Sequence, residues 1–474
     1  MSETHKIKKN ILLVNPRTPD GCGKSYYLPL GLLYLASVCE KSDFSTHLLD
    51  FNVFIPYLKE NPDEWCNELL TKKMIEYEPD IVLLGCLFSG QFPQVIKLSS
   101  VVKDASQNTQ TIVGGIHATT YPRDILAHCQ CIDFIILGEG EKTLESFLNQ
   151  YKSGNLNYND LDGFAFRSSA GKICVNEKTH INENLDEISY PAYHLINFPD
   201  YYVDTTTWHN PKKLTIHASI PIITSRGCPM SCSFCALPSV MGKVYRHRSV
   251  ENVFSEISLL NKKYEQSYFS FMDDNFTLKK KYVLQLCNKI INSDLNIQFD
   301  MLNGVSVNTL DEEVIDALVK AGMVRVALAI ESGSTKIRKC MGKNLSQDKI
   351  FEVVEIFRKY PDVLVRGFFI IGIPEDTNDT LNQTYEMIKQ IKIGSPEVNN
   401  LIPFPGTQIF NQAIRDNLFF EKEDAEALWN TSINMTNNNK FYIKPYSMTL
   451  VELYQWRNKF NEITADHAFG ENTG

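Results

Sequence analysis

The sequence predicts an α/β protein: an N-terminal doubly wound parallel sheet, then a partial (β/α)6 barrel, then a small helical C-terminal region. Three observations predict it. Short apolar runs alternate with helix-patterned stretches along most of the chain, the rhythm of parallel sheets. Glycines recur just beyond the first set of runs. The second set opens with a strand that leads straight into a loop of three cysteines. The expected boundaries are 1–150 for the first sheet, 151–215 for a connector, 216–410 for the barrel and 411–474 for the helical region. A chain of 474 residues is too long for one ordinary domain and suits two or three.

Ile11 to Val14 is a short apolar run closed by Asn15-Pro16, as a buried parallel strand would be. Leu30 to Cys39 reads as a helix, with Leu32, Leu33, Leu35, Ala36 and Val38 apolar. Further strands are expected at Thr46–Asp50, Asp80–Gly85, Thr111–Gly115 and Phe134–Gly138. In such sheets ligands bind outside the carboxyl ends of the strands, where glycine lets a bulky group approach the backbone. Gly85, Gly90, Gly114, Gly115, Gly138 and Gly140 all fall there. Gly21-Cys22-Gly23-Lys24-Ser25 ends like a phosphate-binding loop, but Thr18 stands where that motif needs its first glycine, so the nucleotide-triphosphatase reading is rejected.

The connector is rich in Asn, Asp, Ser, Tyr and Pro. Leu161–Arg167 and Lys172–Asn176 can pair as a small hairpin, and the aromatics of this stretch need burial, so it is expected to be ordered.

In the barrel region Pro221–Thr224 is a strand running into the cysteine loop. Val250, Val253, Phe254, Ile257 and Leu260 keep helical spacing. Strands follow at Tyr268–Met272, Ile297–Leu302, Val324–Ile330, Val365–Ile371 and Val398–Ile402. Thr309 with Glu312 is read as a capping box for a helix carrying Val314, Ile315, Leu318 and Val319. Six strands in β/α order suit a partial TIM-type barrel with its chemistry at the strand carboxyl ends. The tail carries Trp429, Phe441, Tyr442, Tyr446, Tyr454, Trp456 and Phe460, which fit either a packed helical cap or a wall of the substrate site. Asn437-Asn438-Asn439 reads as a loop tip, and there are no internal repeats.

Composition narrows the function. A hydrophobic content of 43% is ordinary for a soluble globular protein. The polar, basic opening Met1–Asn10 does not read as a secretory signal, and no stretch approaches the ~20 apolar residues of a membrane span, so a cytoplasmic protein is expected. A net charge of −9 gives no reason to expect nucleic-acid binding.

The run Thr224-Ser225-Arg226-Gly227-Cys228-Pro229-Met230-Ser231-Cys232-Ser233-Phe234-Cys235 carries the chemistry. Three thiolates at this spacing can reach three corners of one iron–sulfur cube from one tight loop, leaving the fourth iron open for a substrate or cofactor. A zinc knuckle would need a fourth ligand nearby, and His247 has no partner pair. Disulfides are not expected in such a compartment. The other nine of the 12 cysteines, including Cys129 and Cys131, read as buried or half-buried free thiols.

This loop resembles the CxxxCxΦC signature of the radical SAM superfamily, with Phe234 as the aromatic. Later segments resemble the same family in order. Phe271-Met272-Asp273-Asp274-Asn275-Phe276 is similar to the segment that meets the methionine amino group of S-adenosylmethionine (SAM), an ammonium that wants acceptors near the cluster. Ala329-Ile330-Glu331-Ser332-Gly333-Ser334 resembles the strand whose acid meets the ribose, and Gly367 to Glu375 the adenine-side glycine motif. Pro403–Thr407 resembles the turn after the sixth strand. The N-terminal region resembles the cobalamin-binding domain of one branch, through Pro29-Leu30-Gly31-Leu32, Gly114–Thr119 and Gly138-Glu139-Gly140-Glu141. Asn303-Gly304 also fits that branch. The DxHxxG motif whose histidine ligates cobalt is absent: Ser45 precedes His47 and Gly115 precedes His117 where the acid should stand.

The resemblance implies an enzyme with a 4Fe-4S cluster on Cys228, Cys232 and Cys235, and SAM bound by Phe234, Asp273, Asp274, Glu331 and Gly372. It implies cobalamin bound by Pro29, Gly31, Gly85, Ser89, Gly114, Gly115, His117, Thr119, Gly138 and Gly140. The alternative for His117 is a loop residue bonded to backbone. The implied reaction is reductive cleavage of SAM, hydrogen abstraction from an unactivated position of a small-molecule substrate and cobalamin-dependent methylation. The implied partner is an external one-electron donor such as a flavodoxin or ferredoxin. Alternatives are a cobalamin-dependent cyclase or ring-contracting enzyme, a non-catalytic cobalamin or redox sensor, and a radical enzyme whose first domain is only a scaffold. Cys22, Cys39, Cys66 and Cys86 lack the context of a methylthiotransferase cluster.

Overall fold

In the computed structural model the described residues are 9–18, 28–57, 61–87, 89–206, 208–420, 430 and 440–470. The segment Gly21–Ser25, Trp429 and Asn437-Asn438-Asn439 lie outside them. The chain divides into two compact units near Tyr202.

The first unit holds strands β1 (Asn10–Asn15), β2 (Ser45–Asp50), β3 (Ile81–Gly85), β4 (Gln110–Gly114), β5 (Phe134–Ile136), β6 (Phe164–Arg167) and β7 (Ile173–Val175). Their order in one sheet is β2-β1-β3-β4-β5-β6-β7. The first five are parallel. Helices α1 (Leu30–Lys41), α2 (Pro62–Tyr77), α3 (Phe92–Ala105), α4 (Ile116–Thr120), α5 (Pro122–His128) and α6 (Glu141–Ser153) join them. Both faces of the inner strands β1, β3, β4 and β5 are buried, which is why these read as continuous apolar runs. Leu12, Val14, Val82, Leu84 and Val113 pack into one core cluster. Ile11, Leu13, Ile81, Leu83 and Ile112 pack into the other.

The hairpin expected in a connector adds β6 and β7 antiparallel to β5, so the sheet is mixed. This carries the first unit past residue 150. The connector is ordered as expected: Tyr193, Phe198 and Tyr201 are buried, and Tyr201 donates its hydroxyl to Asp50 Oδ2 at 2.9 Å.

The second unit contains β8 (Ile220–Ile222), β9 (Ser225–Arg226), β10 (Arg246–His247), β11 (Tyr268–Phe271), β12 (Gln298–Val305), β13 (Met323–Glu331), β14 (Leu364–Ile371) and β15 (Ser395–Asn400). Six of them form one parallel sheet in the order β15-β14-β13-β12-β11-β8. Each strand lies beside its predecessor in sequence, the topology of a barrel that has not closed. β9 and β10 form a separate two-stranded ribbon. The helices are α7 (Leu237–Met241), α8 (Val250–Tyr264), α9 (Lys280–Ile291), α10 (Glu312–Ala321), α11 (Thr335–Cys340), α12 (Gln347–Phe357), α13 (Asn378–Ile391), α14 (Gln408–Arg415) and α15 (Leu450–Gly470).

Two expectations are corrected. Thr309 does not cap α10. It lies in the 3-10 turn Val307–Thr309, and Asp311 Oδ1 accepts the Val314 N–H at 3.0 Å instead. Asp311, extended at φ −139, is the N-cap, and Thr309 stands two residues too early. β15 begins at Ser395, three residues before the apolar run starting at Val398, because the register with β14 pairs Arg366 with Ser395. In the tail Phe441, Trp456 and Phe460 are buried, and Trp456 Nε1 donates to Asn378 Oδ1 at 2.7 Å. These three pack inward, with Phe441 against Gly372.

Candidate functional site

The cysteine loop leaves the carboxyl end of β8 and is held from several sides. Gly227 has φ +79, and a Cβ there would meet Val244 O at 2.4 Å, so only glycine passes under the 242–245 turn. Its N–H donates to Asp274 Oδ2 at 3.0 Å. Asp273 Oδ1 accepts the Thr224 hydroxyl at 2.7 Å and the Ser225 hydroxyl at 2.5 Å, and the Thr224 N–H at 3.1 Å. Asn275 Nδ2 donates to Cys228 Sγ at 3.8 Å. Downstream, Ser233 donates its N–H to Met341 O at 2.9 Å and accepts that of Ile409 on its carbonyl at 3.0 Å. Phe234 packs against the cluster of Ile337, Met341, Ile373 and Leu401.

All three cysteines are half-buried. Burial pushes the Cys235 thiol up to about 11. Burial also raises Cys232, against the pull of the Lys343 charge. Metal ligation at these two thiols would release their protons. Among the described residues no trio of His, Cys, Asp or Glu closes on a single ion. A cubane, which spreads its ligands over separate corners, makes a different demand. Beside the cysteines, Asn275 Oδ1 and Ser233 Oγ are buried with no hydrogen-bond partner. The loop thus offers soft ligands and spare polar atoms, the donor set an open-iron cluster and its ligand need.

The expected SAM residues gather at the same strand ends, with a different division of labour. The Asp273 and Asp274 carboxylates accept hydrogen bonds from the cysteine loop. Asp273 is 3% exposed, and burial raises its pKa against the donors of Ser225 and Thr224. Glu331 ends β13 at φ +70. Its Oε1 accepts from Lys343 Nζ at 2.8 Å, and the same ammonium donates to Ala329 O at 2.6 Å. Gly372 follows β14 at φ +88. Its N–H and that of Ile373 donate to Asp376 Oδ2, each at 3.0 Å. Burial pushes the Asp376 carboxyl up to about 7. Asn275, Lys343 and Asp376 were not singled out from sequence. Asn275 had a signal, its place beside two aspartates after a strand; the other two had none.

The first unit has the 2-1-3-4-5 order whose switch point lies between β1 and β3, where ligands enter such sheets. Pro29 precedes α1, and Gly31 is exposed with nothing within 4 Å of a built Cβ. Gly85 and Gly114 end paired strands in register. Gly115, at φ +110, would bring a Cβ within 2.5 Å of Cys86 O. Thr119 Oγ1 donates to Gly115 O at 2.9 Å and accepts the Gly138 N–H at 2.9 Å. Gly140 sits at the N-terminus of α6. His117 lies in α4, 1% exposed, with its ring 4.5 Å from Phe92 and 5.0 Å from Tyr121. Its Nδ1 is 2.9 Å from the Oγ of Ser89, which opens the 3-10 helix Ser89–Gln91. Asp50, missed from sequence, is buried at the β2 end under Asn15, Asn52 and Tyr201.

Comparison with known proteins finds two domain matches. Residues 222–388 match the model of the Radical SAM superfamily, and residues 19–148 that of the B12 binding domain. An uncharacterized methyltransferase of Pyrococcus horikoshii is 28% identical, covering 87% of this chain and 84% of its own. Cytidylyl-2-hydroxyethylphosphonate methyltransferase of Streptomyces wedmorensis is 26% identical, covering 89% of this chain and 84% of its own. The radical S-adenosylmethionine methyltransferase TsrM from Kitasatospora setae, solved with cobalamin and a 4Fe-4S cluster bound, has the same fold: its TM-score is 0.69 at 17% identity, over 86% of this chain and 75% of that one.

Proposed function

Because this chain belongs to the radical SAM superfamily and carries a B12-binding domain ahead of its barrel, we propose that it methylates an unactivated position of a small-molecule substrate. The observation that carries this reading is the pairing of a three-cysteine loop at the end of β8 with a sheet whose glycines line its carboxyl edge. When bound, the 4Fe-4S cluster, SAM and cobalamin supply one-electron cleavage of a sulfonium, hydrogen-atom abstraction and methyl donation.

The chain's own residues hold and shield these groups. Cys228, Cys232 and Cys235 would hold the cluster. Asp273 and Asp274 brace that loop through Thr224, Ser225 and Gly227. Glu331, steadied by Lys343, serves the ribose side, and Gly372 with Phe234 the adenine side. In the first unit Pro29, Gly31, Gly85, Ser89, Gly114, Gly115, Thr119, Gly138 and Gly140 form the corrin-facing edge, with His117 beneath it as packing. We assign residues 1–150 to cobalamin and 216–410 to SAM, in line with the matched segments. No helix among the described residues is long and apolar enough to cross a membrane, and a cytoplasmic enzyme is proposed.

The test is anaerobic turnover with SAM and cobalamin. The Cys228→Ala/Cys232→Ala/Cys235→Ala variant should lose its iron and all deoxyadenosine formation; cleavage that survives sinks the cluster assignment. Product mass then decides the outcome: a gain of one methyl supports methyl transfer, and a loss of hydrogens replaces it with cyclisation.

A further inference from the structure

The unclosed barrel carries a row of charge that the cluster and SAM residues do not use. Along β14 and β15 buried and half-buried side chains alternate, so one face of the sheet is packed and the other is open. Register places five polar side chains on the open face, one from each of five neighbouring strands. Ser270 pairs with Asp300, and Asp300 with Arg325. Arg366 lies opposite Ala327, two residues along β13 from Arg325. Glu397 lies two residues along β15 from Ser395, the partner of Arg366. The order across the sheet is hydroxyl, acid, base, base, acid.

A structural ion-pair network closes its own hydrogen bonds. This row does not. Asp300, 1% exposed, accepts the Tyr268 hydroxyl on Oδ2 at 3.0 Å and the Ser270 hydroxyl on Oδ1. Arg325, with its side chain only 16% exposed, is left with Asp300 Oδ2 at 4.0 Å. Arg366 Nη1 donates to Glu397 Oε1 at 2.7 Å. The Nε atoms of Arg325 and Arg366 are both buried with no hydrogen-bond partner. Burial raises the Asp300 carboxyl against the pull of Ser270, Arg325, Tyr268 and Arg366, so both guanidinium charges reach the same acid.

The two acids match the two bases in number, but they flank the row and leave the arginines side by side. Diagonal neighbours on a sheet lie about 7–8 Å apart, within reach of long side chains, and like charges there repel. An oxyanion between the two forks turns that repulsion into attraction and supplies acceptors for the spare donors. Toward the strand ends the same face is small and apolar, with Ala327 and Ala329 on β13 and Phe368 and Ile370 on β14. In the other direction 208–216 closes the sheet: Gln298 Nε2 donates to Asn210 Oδ1 at 2.5 Å, and the Trp208 ring lies 5.5 Å from that of Tyr268. Arg366 to Gly372 is six residues of chain, about 20 Å of strand.

We propose that the substrate is an elongated acid: its oxyanion, a carboxylate or a phosphoryl group, is gripped by Arg325 and Arg366, and its apolar body runs along the alanine wall toward the strand ends. This rests on the function proposed above and names the substrate class for it.

The test is protection from phenylglyoxal, read at each arginine by peptide mass on the full-length iron-loaded protein under anaerobic conditions. The probes are inorganic phosphate and acetate, with sodium chloride at matched ionic strength as the blank. At least one probe should slow modification of Arg366 in a saturable way and leave the exposed Arg358 unchanged. Protection by phosphate alone names a phosphoryl group, by acetate alone a carboxylate, and by both the shared oxyanion chemistry. Arg325→Gln should raise the half-protecting concentration at Arg366 about tenfold or more, because one of two charged forks is lost. No protection in the wild type, or equal protection by chloride, would overturn the proposal without any variant. A half-protecting concentration unchanged in a folded Arg325→Gln would also overturn it and leave the row a structural network. Deoxyadenosine formation in the same preparation tests the radical reading separately: cleavage without protection rejects the oxyanion site alone, and protection without cleavage keeps the site and sinks that reading.

Discussion

Gly342→Ala isolates the contact that seats the cysteine loop. Gly342 follows α11 at φ +73, and a Cβ there would lie 2.5 Å from Ser231 O and 3.7 Å from Cys232 Cα. Alanine at this φ costs about 1 kcal/mol for its left-handed backbone alone. The clash matters more. Contacts under 3.0 Å are essentially never seen, so the Ser231 carbonyl must retreat by about half an ångström. Metal–ligand distances tolerate only about 0.2 Å, and Cys232 is the next residue. The expected result is loss of at least half the iron and acid-labile sulfide per chain after anaerobic reconstitution. Gly154→Ala is the control: it has φ +72 and nothing within 4 Å of its Cβ, so it meets the same backbone cost with no clash. Wild-type iron content in Gly342→Ala would refute the argument. Equal loss in both variants would assign the effect to backbone strain.

Other expectations can be checked alongside. Lys343→Met strands Glu331, whose side chain is 8% exposed, and should cost about 3–5 kcal/mol by urea unfolding; Lys343→Met/Glu331→Gln should recover much of it, and a strictly additive double variant would dismiss the pair. Asp376, raised to about 7 by burial, binds its proton more tightly in the folded than in the unfolded chain. Its contribution is therefore present below pH ~4 and lost as pH rises toward ~7. The urea midpoint should fall over that window, and Asp376→Asn should flatten the fall; an unchanged slope would contradict the assignment. Asp273→Asn should release iron while SAM affinity of the iron-loaded fraction stays within about twofold. A loss of about tenfold, or 1.4 kcal/mol, at full iron would make Asp273 a ligand group.

Much of this protein was legible in its sequence because the signals are local. An apolar run buried on both faces reads as a parallel strand wherever it stands, and the runs from Ile11, Asp80, Thr111 and Tyr268 all became strands. The cysteine spacing is likewise a property of one loop. Tertiary structure decided what no local pattern encodes. The hairpin at Phe164–Val175 joined the first sheet because β5 offered an open edge, which no periodicity within the hairpin announces. Asp273 and Asp274 turned to Thr224, Ser225 and Gly227, residues 47 to 49 positions away, because β11 lies beside β8. Lys343 reached Glu331 across helix α11, and Asp376 folded under Gly372 through a turn of a few residues whose dihedrals the composition leaves free. His117 went inward because Phe92 and Tyr121 supply an aromatic socket. Sequence determines which residues stand at the strand ends; strand register and turn geometry decide where each side chain points, and pointing separates a ligand from the brace that holds it.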